Sequence, residues 1–387
     1  MKNKISIIGS GTMGTGIAQV AATYGLKVVL IDVNMEIIEK SKCHINSIIN
    51  KLVSKGKISL NDSNSILSRI SWETDINYIS DSDIVIEAII ENIDLKQKIF
   101  KQIEALVSNN CIIATNTSSL SVSSIASGCN NLSRIMGVHF FNPVPLMKLV
   151  EIIPINVTSP NNIKITRSIL QSWDKIVVTA KDTPGFIVNR IARPFYGEAL
   201  KIYDDGLADF ATIDWAMKEF GNFKMGPFEL MDYIGNDVNY NATKSVYIGT
   251  NYNSRYKPSN TQKMMVEKGL LGRKSGKGFY DYTNGSNIPD PTINTKLGKM
   301  IFSRIVAILI NEAVDALNLE IATREDIDIA MTTGVNYPKG LLKWADEIGL
   351  KNIYNRLCKL NSESNDDRYN PSPLLIKLVK ENGAFYT

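Results

Sequence analysis

Histidine and cysteine are scarce in this chain. Only two histidines, His44 and His139, and four cysteines occur among its 387 residues. The cysteines are dispersed and form no C-x-x-C pair, a pattern typical of reduced thiols in the cytoplasm. Transition metals in proteins are usually held by clusters of histidine and thiolate ligands. The composition therefore argues against a metal site, and we expect no metal cofactor.

Long apolar runs and a strong charge excess are also missing. No apolar run reaches the roughly 18 residues that a membrane-spanning helix needs. The formal net charge is only +4, whereas nucleic-acid-binding domains usually present a concentrated basic face. The first residues, MKNKISIIGSG, hold too short an apolar stretch for a signal peptide. We expect a cytoplasmic protein with no membrane or nucleic-acid partner.

A glycine-rich motif follows the first apolar run. Residues 4–8 read KISII, and GSGTMG (9–14) comes next, before a helix-like segment and a second apolar run that ends in Asp32. Gly9 permits a tight turn, Gly11 lets the backbone approach a pyrophosphate, and Gly14 lets the helix pack closely. The helix N-terminus attracts the phosphates, and Asp32 accepts from the ribose hydroxyls. This order predicts a dinucleotide site that favours NAD over NADP.

Polar side chains follow the predicted strands of this half. DIVIEAI (83–89) and CIIATNT (111–117) are apolar runs of the buried-strand type. Because open α/β sheets bind ligands at the carboxyl ends of their strands, we expect one crevice lined by polar groups from three strand ends. These groups are Glu91, Asn92, Asn116, Ser118, Ser119, His139 and Asn142.

Residues 34–70 read as a helical insertion that carries several lysines. Two interpretations stay open for Lys40, Lys42, Lys51, Lys55 and Lys57. Most of them fit a solvated helix face, and the sharper hypothesis is a basic patch for the phosphates of a bulky substrate. His44 lies in the same insertion, outside any motif, and we expect no functional role for it.

His139 stands in a strand-like segment, GVHFFNPVPLMKLVEII (137–153). Twelve residues later Glu151 occupies a second apolar run, and the two prolines between them turn the chain. A glutamate in an apolar strand is rarely buried without a partner. A buried Glu151 would therefore need a partner nearby.

The ordered motifs resemble those of the L-3-hydroxyacyl-CoA dehydrogenases, and the sequence is similar to the bacterial 3-hydroxybutyryl-CoA dehydrogenases among them. The matching segments are GSGTMGTGIA, IEAIIEN, TNTSSLSV, GVHFFNPVPLMKLVEII, DTPGFIVNRI, MGPFELMDYIG and GLLGRKSGKGFYDY. They occur in family order as far as about residue 283. The resemblance implies reversible, NAD-dependent oxidation of a short L-3-hydroxyacyl-CoA.

The resemblance also implies roles for single residues. His139 matches the catalytic histidine, Glu151 its acidic partner, Ser118 a serine near substrate and nicotinamide, and Asn189 an asparagine that contacts the substrate oxygen. The positions that match those beside the cofactor are Gly9, Gly11, Thr12, Met13, Gly14, Asp32, Glu91, Lys96, Asn116, Ser118, Asn142 and Lys274. The cofactor is then NAD, and the substrate is an acyl-CoA.

This chemistry suits those residue types. The cofactor accepts the hydride, and the protein supplies orientation and a base. Histidine is suited to proton transfer near neutrality. A buried carboxylate holds the imidazole in one tautomer and stabilises the imidazolium that forms. Ser118 and Asn189 would hydrogen-bond the C3 oxygen as it changes between alkoxide and carbonyl.

The second half of the chain is duplicated. Nine residues recur at a constant offset of 114, which indicates an internal repeat. Arg190, Glu198, Ala199, Asp214, Ala216, Met217, Gly226, Asp232 and Gly235 recur as Arg304, Glu312, Ala313, Asp328, Ala330, Met331, Gly340, Asp346 and Gly349. The later copy lacks the loop of Lys274 and has Ser303 in place of Asn189. We infer that the first copy completes the active site and the second is structural.

The predicted architecture is an α/β Rossmann-type domain followed by two all-α copies of one helical domain. We place the NAD-binding domain at 1–183, the first helical domain at 184–283, a linker at 284–298 and the second copy at 299–387. We expect the two copies to pack as a pseudo-dimer within one chain, and association into homo-oligomers stays open. Two alternative functions also stay open: a dehydrogenase of a free 3-hydroxy or sugar acid, and a non-catalytic structural relative.

Overall fold

The computed structural model describes residues 3–283, 286 and 289–386. The chain forms two compact units, Met1–Asp182 and Thr183–Thr387. The first holds the sheet and the second is helical, so the predicted fold class is confirmed. Within the described part of the chain, no helix is both long enough and apolar enough to cross a membrane.

Eight strands form one sheet in the first unit. They are β1 (Lys4–Ile8), β2 (Lys27–Ile31), β3 (Ile70–Glu73), β4 (Ile84–Glu87), β5 (Ile112–Thr115), β6 (Ile135–Phe140), β7 (Leu149–Pro154) and β8 (Ile176–Thr179). Their order is β3-β2-β1-β4-β5-β6-β7-β8. The first six run parallel. Strand β7 runs antiparallel to β6, and β8 is parallel to β7.

Helices flank this sheet. They are α1 (Thr12–Thr23), α2 (Met35–Ser54), α3 (Leu60–Ser68), α4 (Ile93–Leu106), α5 (Val122–Ala126) and α6 (Pro160–Ser172). The apolar runs of β1, β2, β4 and β5 are almost entirely buried, as expected of parallel strands between two helical layers. Helices α2 and α3 form the predicted helical insertion between β2 and β3.

The second unit consists of helices. They are α7 (Val188–Ile191), α8 (Arg193–Asp204), α9 (Phe210–Gly221), α10 (Pro227–Ile234), α11 (Asn236–Gly249), α12 (Asn260–Glu267), α13 (Thr295–Asn318), α14 (Arg324–Gly334), α15 (Leu341–Ile348), α16 (Leu350–Ser364) and α17 (Pro373–Glu381). Helix α13 begins inside the expected linker 284–298. Asn284, Gly285, Asn287 and Ile288 of that linker lie outside the described residues.

The repeat has a structural counterpart in paired aspartates. The buried carboxylate of Asp214 accepts two N–H groups from the first turn of α10, at 2.9 and 2.8 Å. Asp328, 114 residues later, accepts the matching groups of α15 at 2.8 and 3.0 Å. A Cβ on the glycine before either helix would lie 2.4 Å from the aspartate, which explains Gly226 and Gly340. Both copies thus begin this helix in the same way.

The two copies exchange buried ion pairs. Arg190 Nε donates to Glu312 Oε1 at 2.8 Å, and Arg304 Nε donates to Glu198 Oε1. Each pair joins the arginine of one copy to the glutamate of the other, which is the pattern of an isologous two-fold interface. All four side chains are at least nine-tenths buried. Within this unit the copies therefore contact each other as two subunits of a dimer would.

Candidate active site

The glycine motif forms a tight turn between β1 and α1. Gly9 has φ +104°, and a Cβ there would lie 2.5 Å from the carbonyl oxygen of Ala88. A Cβ on Gly14 would lie 1.8 Å from the carbonyl oxygen of Gly9, so the helix could not pack this closely with any other residue. Above Gly11, by contrast, nothing lies within 4 Å of such an atom.

Helix α1 begins at this turn without a capping side chain. Its N-cap is Gly11, and its first turn, which includes Thr12 and Met13, contains no acidic residue. The N–H groups of a first helical turn need partners outside the helix, and the helix dipole favours an anion there. Open space over Gly11 beside an uncapped helix end fits the pyrophosphate of NAD.

Asp32 lies just beyond β2, beside the same turn. Its Oδ2 atom accepts a hydrogen bond from the backbone N–H of Ser10 at 2.8 Å and from the Ser10 hydroxyl at 3.1 Å. These contacts fix the carboxylate next to the glycine motif. Ser10, for which the sequence predicted no role, thus orients Asp32, the acid predicted to accept hydrogen bonds from the ribose hydroxyls.

His139 and Glu151 face each other across neighbouring strands. The antiparallel register of β6 and β7 pairs these two residues directly. His139 Nδ1 lies 2.7 Å from Glu151 Oε2, and both side chains are buried. The Phe141 ring packs against the imidazole with 4.5 Å between centroids. The structure therefore brings together the pair that the sequence predicted.

A buried lysine holds the turn between these strands. Lys175 Nζ donates to the carbonyl oxygens of Val144 and Met147 at 2.6 and 2.7 Å. The pKa of Lys175 is lowered to about 8, mainly by burial and also by the neighbouring Lys148 ammonium, while Asp174 opposes both. Sequence analysis missed Lys175. The available signal was a lysine directly before an apolar run, which becomes β8.

Polar residues at the ends of β5 and β6 are tied together. Asn116 Oδ1 accepts the backbone N–H of Phe140 at 2.9 Å, one residue after His139. Ser118 follows on the exposed loop after β5, and Asn142 is exposed on the turn after β6. Asn116 thereby fixes the spacing of the strand ends that carry the serine and the histidine.

The buried Lys96 links two carboxylates, the buried Glu87 and the partly exposed Glu91. Lys96 is 1% exposed, and its Nζ lies 2.6 Å from Glu87 Oε1 and 3.3 Å from Glu91 Oε2. Burial alone would raise the pKa of Glu91, but Lys96 and hydrogen bonds from Thr117 and its neighbours outweigh it, and the pKa lies below its usual value. Lys96 therefore supports Glu91 here. Sequence analysis missed Glu87, an acid at the end of an apolar strand.

Asn189 and Lys274 belong to the helical unit. Asn189 lies on α7, and its carbonyl oxygen accepts Arg193 Nε at 2.8 Å. Lys274 forms an ion pair with Asp237, with 2.6 Å between Nζ and Oδ1. Among the described residues, no cluster of three or more histidine, cysteine or acidic side chains could hold a metal ion.

Comparison with known proteins agrees with this organisation. Residues 4–183 match the model of the 3-hydroxyacyl-CoA dehydrogenase NAD-binding domain. The model of the C-terminal domain of the same family matches twice, at 185–282 and at 300–384. The helical half therefore contains two copies of one family domain, in the positions that the constant offset indicated.

Relatives of known name extend over the whole chain. A 3-hydroxyadipyl-CoA dehydrogenase of Escherichia coli is 33% identical, and the alignment covers 96% of each chain. A crystal structure of 3-hydroxybutyryl-CoA dehydrogenase from Escherichia coli superimposes with a TM-score of 0.94, at 32% identity and 99% coverage of both chains. A 3-hydroxybutyryl-CoA dehydrogenase of Clostridioides difficile is 40% identical over 72% of this chain and 99% of its own. The chain therefore belongs to the family of NAD-dependent 3-hydroxyacyl-CoA dehydrogenases.

Proposed function

We propose that this protein oxidises a short L-3-hydroxyacyl-CoA to the 3-ketoacyl-CoA with NAD, and catalyses the reverse reduction. Family membership supports the reaction type. Two relatives bear the name 3-hydroxybutyryl-CoA dehydrogenase, which supports a four-carbon substrate. The observation that carries the mechanism is the buried contact between His139 and Glu151.

The contact between His139 and Glu151 supports a separate role for each ring nitrogen. With a carboxylate oxygen 2.7 Å away, we assign the ring proton to Nδ1, which donates a hydrogen bond to Glu151. Nε2 is then the nitrogen that takes the hydroxyl proton of the substrate during oxidation. Glu151 stabilises the imidazolium that forms, and in the reverse reaction that imidazolium returns the proton to the C3 oxygen. Burial of the pair strengthens the attraction between the two charges.

The cofactor, when bound, accepts the hydride from C3 at its nicotinamide ring. The glycine turn and the N-terminus of α1 would hold its pyrophosphate, with the backbone at Gly11 approaching most closely. Asp32 would accept from the ribose hydroxyls. A negative charge there repels a 2′-phosphate, which selects NAD over NADP.

The remaining assigned residues orient the substrate and the cofactor. From the family resemblance we retain Ser118 and Asn189 as donors to the C3 oxygen, and Glu91, Asn116, Asn142 and Lys274 as residues beside the cofactor. One preorganised donor of this kind typically contributes about 3 kcal/mol to the transition state. Lys96 holds Glu91 and so contributes indirectly.

The helical insertion offers basic groups for the CoA phosphates. Two of its lysines already face acids, because Lys40 lies 2.7 Å from Glu36 and Lys42 lies 3.8 Å from Glu39. These two fit the solvated helix face. Lys51, Lys55 and Lys57 are therefore the better candidates for the phosphates.

Substrate reduction tests this proposal. We expect oxidation of NADH with acetoacetyl-CoA and none with free acetoacetate, because only the ester carries the CoA moiety. Activity with the free acid alone would indicate a dehydrogenase of free hydroxy acids, and no activity with either compound or with 3-oxoadipyl-CoA would favour a structural relative. Replacing Glu151 with Gln should lower kcat by about 10²-fold or more with little effect on the KM for NADH. The reverse pattern would reassign Glu151 to cofactor binding.

A longer acyl chain ending in a carboxylate is the second candidate. The relative that is similar over 96% of this chain bears the name 3-hydroxyadipyl-CoA dehydrogenase. Comparing kcat/KM for acetoacetyl-CoA and 3-oxoadipyl-CoA decides between them. A higher value for the four-carbon ester supports the main proposal, and a higher value for the dicarboxylic ester supports the alternative.

A further inference from the structure

Residues 117–123, here named the serine loop, read TSSLSVS and carry Ser118. The front of this loop is held by Glu91. Its Oε1 atom accepts from the Thr117 hydroxyl at 2.5 Å, from the N–H of Ser118 at 3.1 Å, and from the N–H and hydroxyl of Ser119 at 3.2 and 2.9 Å. One carboxylate thus holds three consecutive residues.

The rear of the serine loop is held by a second carboxylate, Asp182. It accepts from the N–H groups of Val122 and Ser123 at 2.9 and 2.8 Å. The hydroxyls of Ser121 and Ser123 also donate to it, at 3.0 and 2.7 Å. Asp182 lies 59 to 61 residues away in sequence, so this contact is tertiary.

The segment that Asp182 holds also lies beside β6, the strand that carries His139. Val122 starts α5, and a Cβ on Gly137 would lie 2.9 Å from the Val122 side chain. Gly137 stands two residues before His139 on β6. A helix of five residues has little stability of its own. The hydrogen bonds that Asp182 accepts therefore hold the start of α5, with Val122 beside Gly137 of β6.

We propose that Asp182 is a positioning residue that acts through Ser118, an inference that rests on the function proposed for that serine. Only Leu120 separates the residues held by Glu91 from those held by Asp182. With both ends fixed, Ser118 is placed before the substrate arrives. Releasing the rear end lets the serine loop shift, and a displacement of about 1 Å in an active site can lower the rate about 10²-fold.

A purely structural role for Asp182 predicts a different result. In that case replacing Asp182 destabilises the protein. Any loss in kcat is then independent of Ser118, so the fold-losses of the two single variants multiply in the double variant. A residue that acts only through Ser118 has no further effect once the serine hydroxyl is gone. A double-mutant cycle separates the two possibilities.

The experiment uses Asp182→Asn, Ser118→Ala and the double variant, assayed with NADH and acetoacetyl-CoA. Asp182→Asn should lower kcat by about tenfold to 10²-fold, with the KM for NADH within about twofold of wild type. The double variant should have the kcat of Ser118→Ala within about twofold. Multiplicative losses in kcat, or an unchanged kcat in Asp182→Asn, would overturn the proposal.

Glu104 provides a matched control in the same unit. Its carboxylate accepts the N–H groups of Asn130 and Asn131 at 2.7 and 2.8 Å, so it makes the same kind of contact with another loop. Glu104→Gln should leave kcat within about twofold of wild type. A loss as large as that of Asp182→Asn would show that any such contact in this unit affects catalysis, which contradicts a specific role.

Amide hydrogen exchange gives a readout that does not depend on activity. In Asp182→Asn the N–H groups of Val122, Ser123 and Ser118 should exchange faster, because the hydrogen bonds that protect them are weakened. Unchanged protection at Ser118 would show that the rear contact does not reach it. A wild-type protein inactive on every 3-ketoacyl-CoA would instead refute the proposed function, whatever the exchange result.

Discussion

One buried position of the second copy, Asn311, differs from its counterpart in the first copy, and this difference supports a quantitative prediction. Asn311 is fully buried on α13; its side-chain amide donates to the carbonyl oxygen of Asn370 at 2.9 Å and accepts the N–H of Ser372 at 2.8 Å. The residue 114 positions earlier is Gly197, on α8. A Cβ there would have nothing within 4 Å.

Gly197 instead borders a cavity. Lys257 and Ser259 also line it. They belong to RYKPS (255–259), which matches RYNPS (368–372) at an offset of 113 and so pairs Lys257 with Asn370 and Ser259 with Ser372. An asparagine at position 197 should therefore place its side chain in the cavity and make there the two hydrogen bonds that Asn311 makes in the second copy. Two hydrogen bonds contribute about 1 kcal/mol each, and helix propensity adds roughly 0.3. Side-chain ordering opposes this by about 1 kcal/mol, which leaves a gain near 1 kcal/mol.

Urea denaturation of three variants measures this gain. Gly197→Asn should raise the free energy of unfolding by about 1 kcal/mol. Gly197→Ala is the control, because alanine makes no hydrogen bond and gains about 0.9 kcal/mol over glycine from helix propensity alone. Asparagine, whose propensity gain is only about 0.3 kcal/mol, should match alanine only if it makes the two hydrogen bonds. Asn311→Gly should lower the free energy of unfolding by about 1 to 3 kcal/mol, since it leaves the buried N–H of Ser372 unpaired, whereas the carbonyl oxygen of Asn370 keeps its hydrogen bond from Arg255. A Gly197→Asn protein less stable than wild type would refute the equivalence of the two positions.

Three further predictions concern charged residues. Glu312→Gln should lower the free energy of unfolding by about 3 kcal/mol or more, because it breaks a buried ion pair. Arg190→Met should lower the free energy of unfolding less in the Glu312→Gln protein than in wild type. Additive losses in the double variant would contradict the pairing of Arg190 with Glu312. Burial lowers the pKa of Lys175 from 10.5 to about 8, so the unfolded chain binds this proton more tightly than the folded protein does. The free energy of unfolding should therefore increase as the pH is raised from about 8 to 10.5. Lys175→Met should lack that part of the rise in urea denaturation, and identical pH slopes would contradict it. Asp32→Ala should raise the KM for NADH and lower the ratio of kcat/KM for NADH to kcat/KM for NADPH. An unchanged ratio would show that Asp32 does not select the cofactor.

Much of the sheet and the central contact could be predicted from sequence. Parallel buried strands read as continuous apolar runs, so β1, β2, β4 and β5 were recognisable. The contact of His139 with Glu151 could be predicted because a carboxylate in an apolar strand needs a partner and the family resemblance implies His139. The same need at Glu87 is met by Lys96, nine residues later on α4. The predicted roles of these residues await the assays described above.

Tertiary contacts account for what the sequence did not reveal. The repeat identified Arg190, Glu198, Arg304 and Glu312 as matching residues, but a constant offset does not say which glutamate each arginine meets. Within one copy the arginine and glutamate are eight residues apart, and the structure pairs them across copies instead. Asp182 was read only as part of a boundary motif. Its contacts lie about 60 residues away in sequence and leave no local pattern.

In the proposed mechanism His139 transfers the substrate proton, and the sequence offers a matched control in its only other histidine, the exposed His44. The most direct test is the single-turnover rate of NADH oxidation by acetoacetyl-CoA in His139→Gln and His44→Gln. We predict a loss of about 10²-fold to 10⁴-fold in the first variant, as expected for removal of a general acid–base, and wild-type rates in the second. Wild-type rates in His139→Gln would contradict the account.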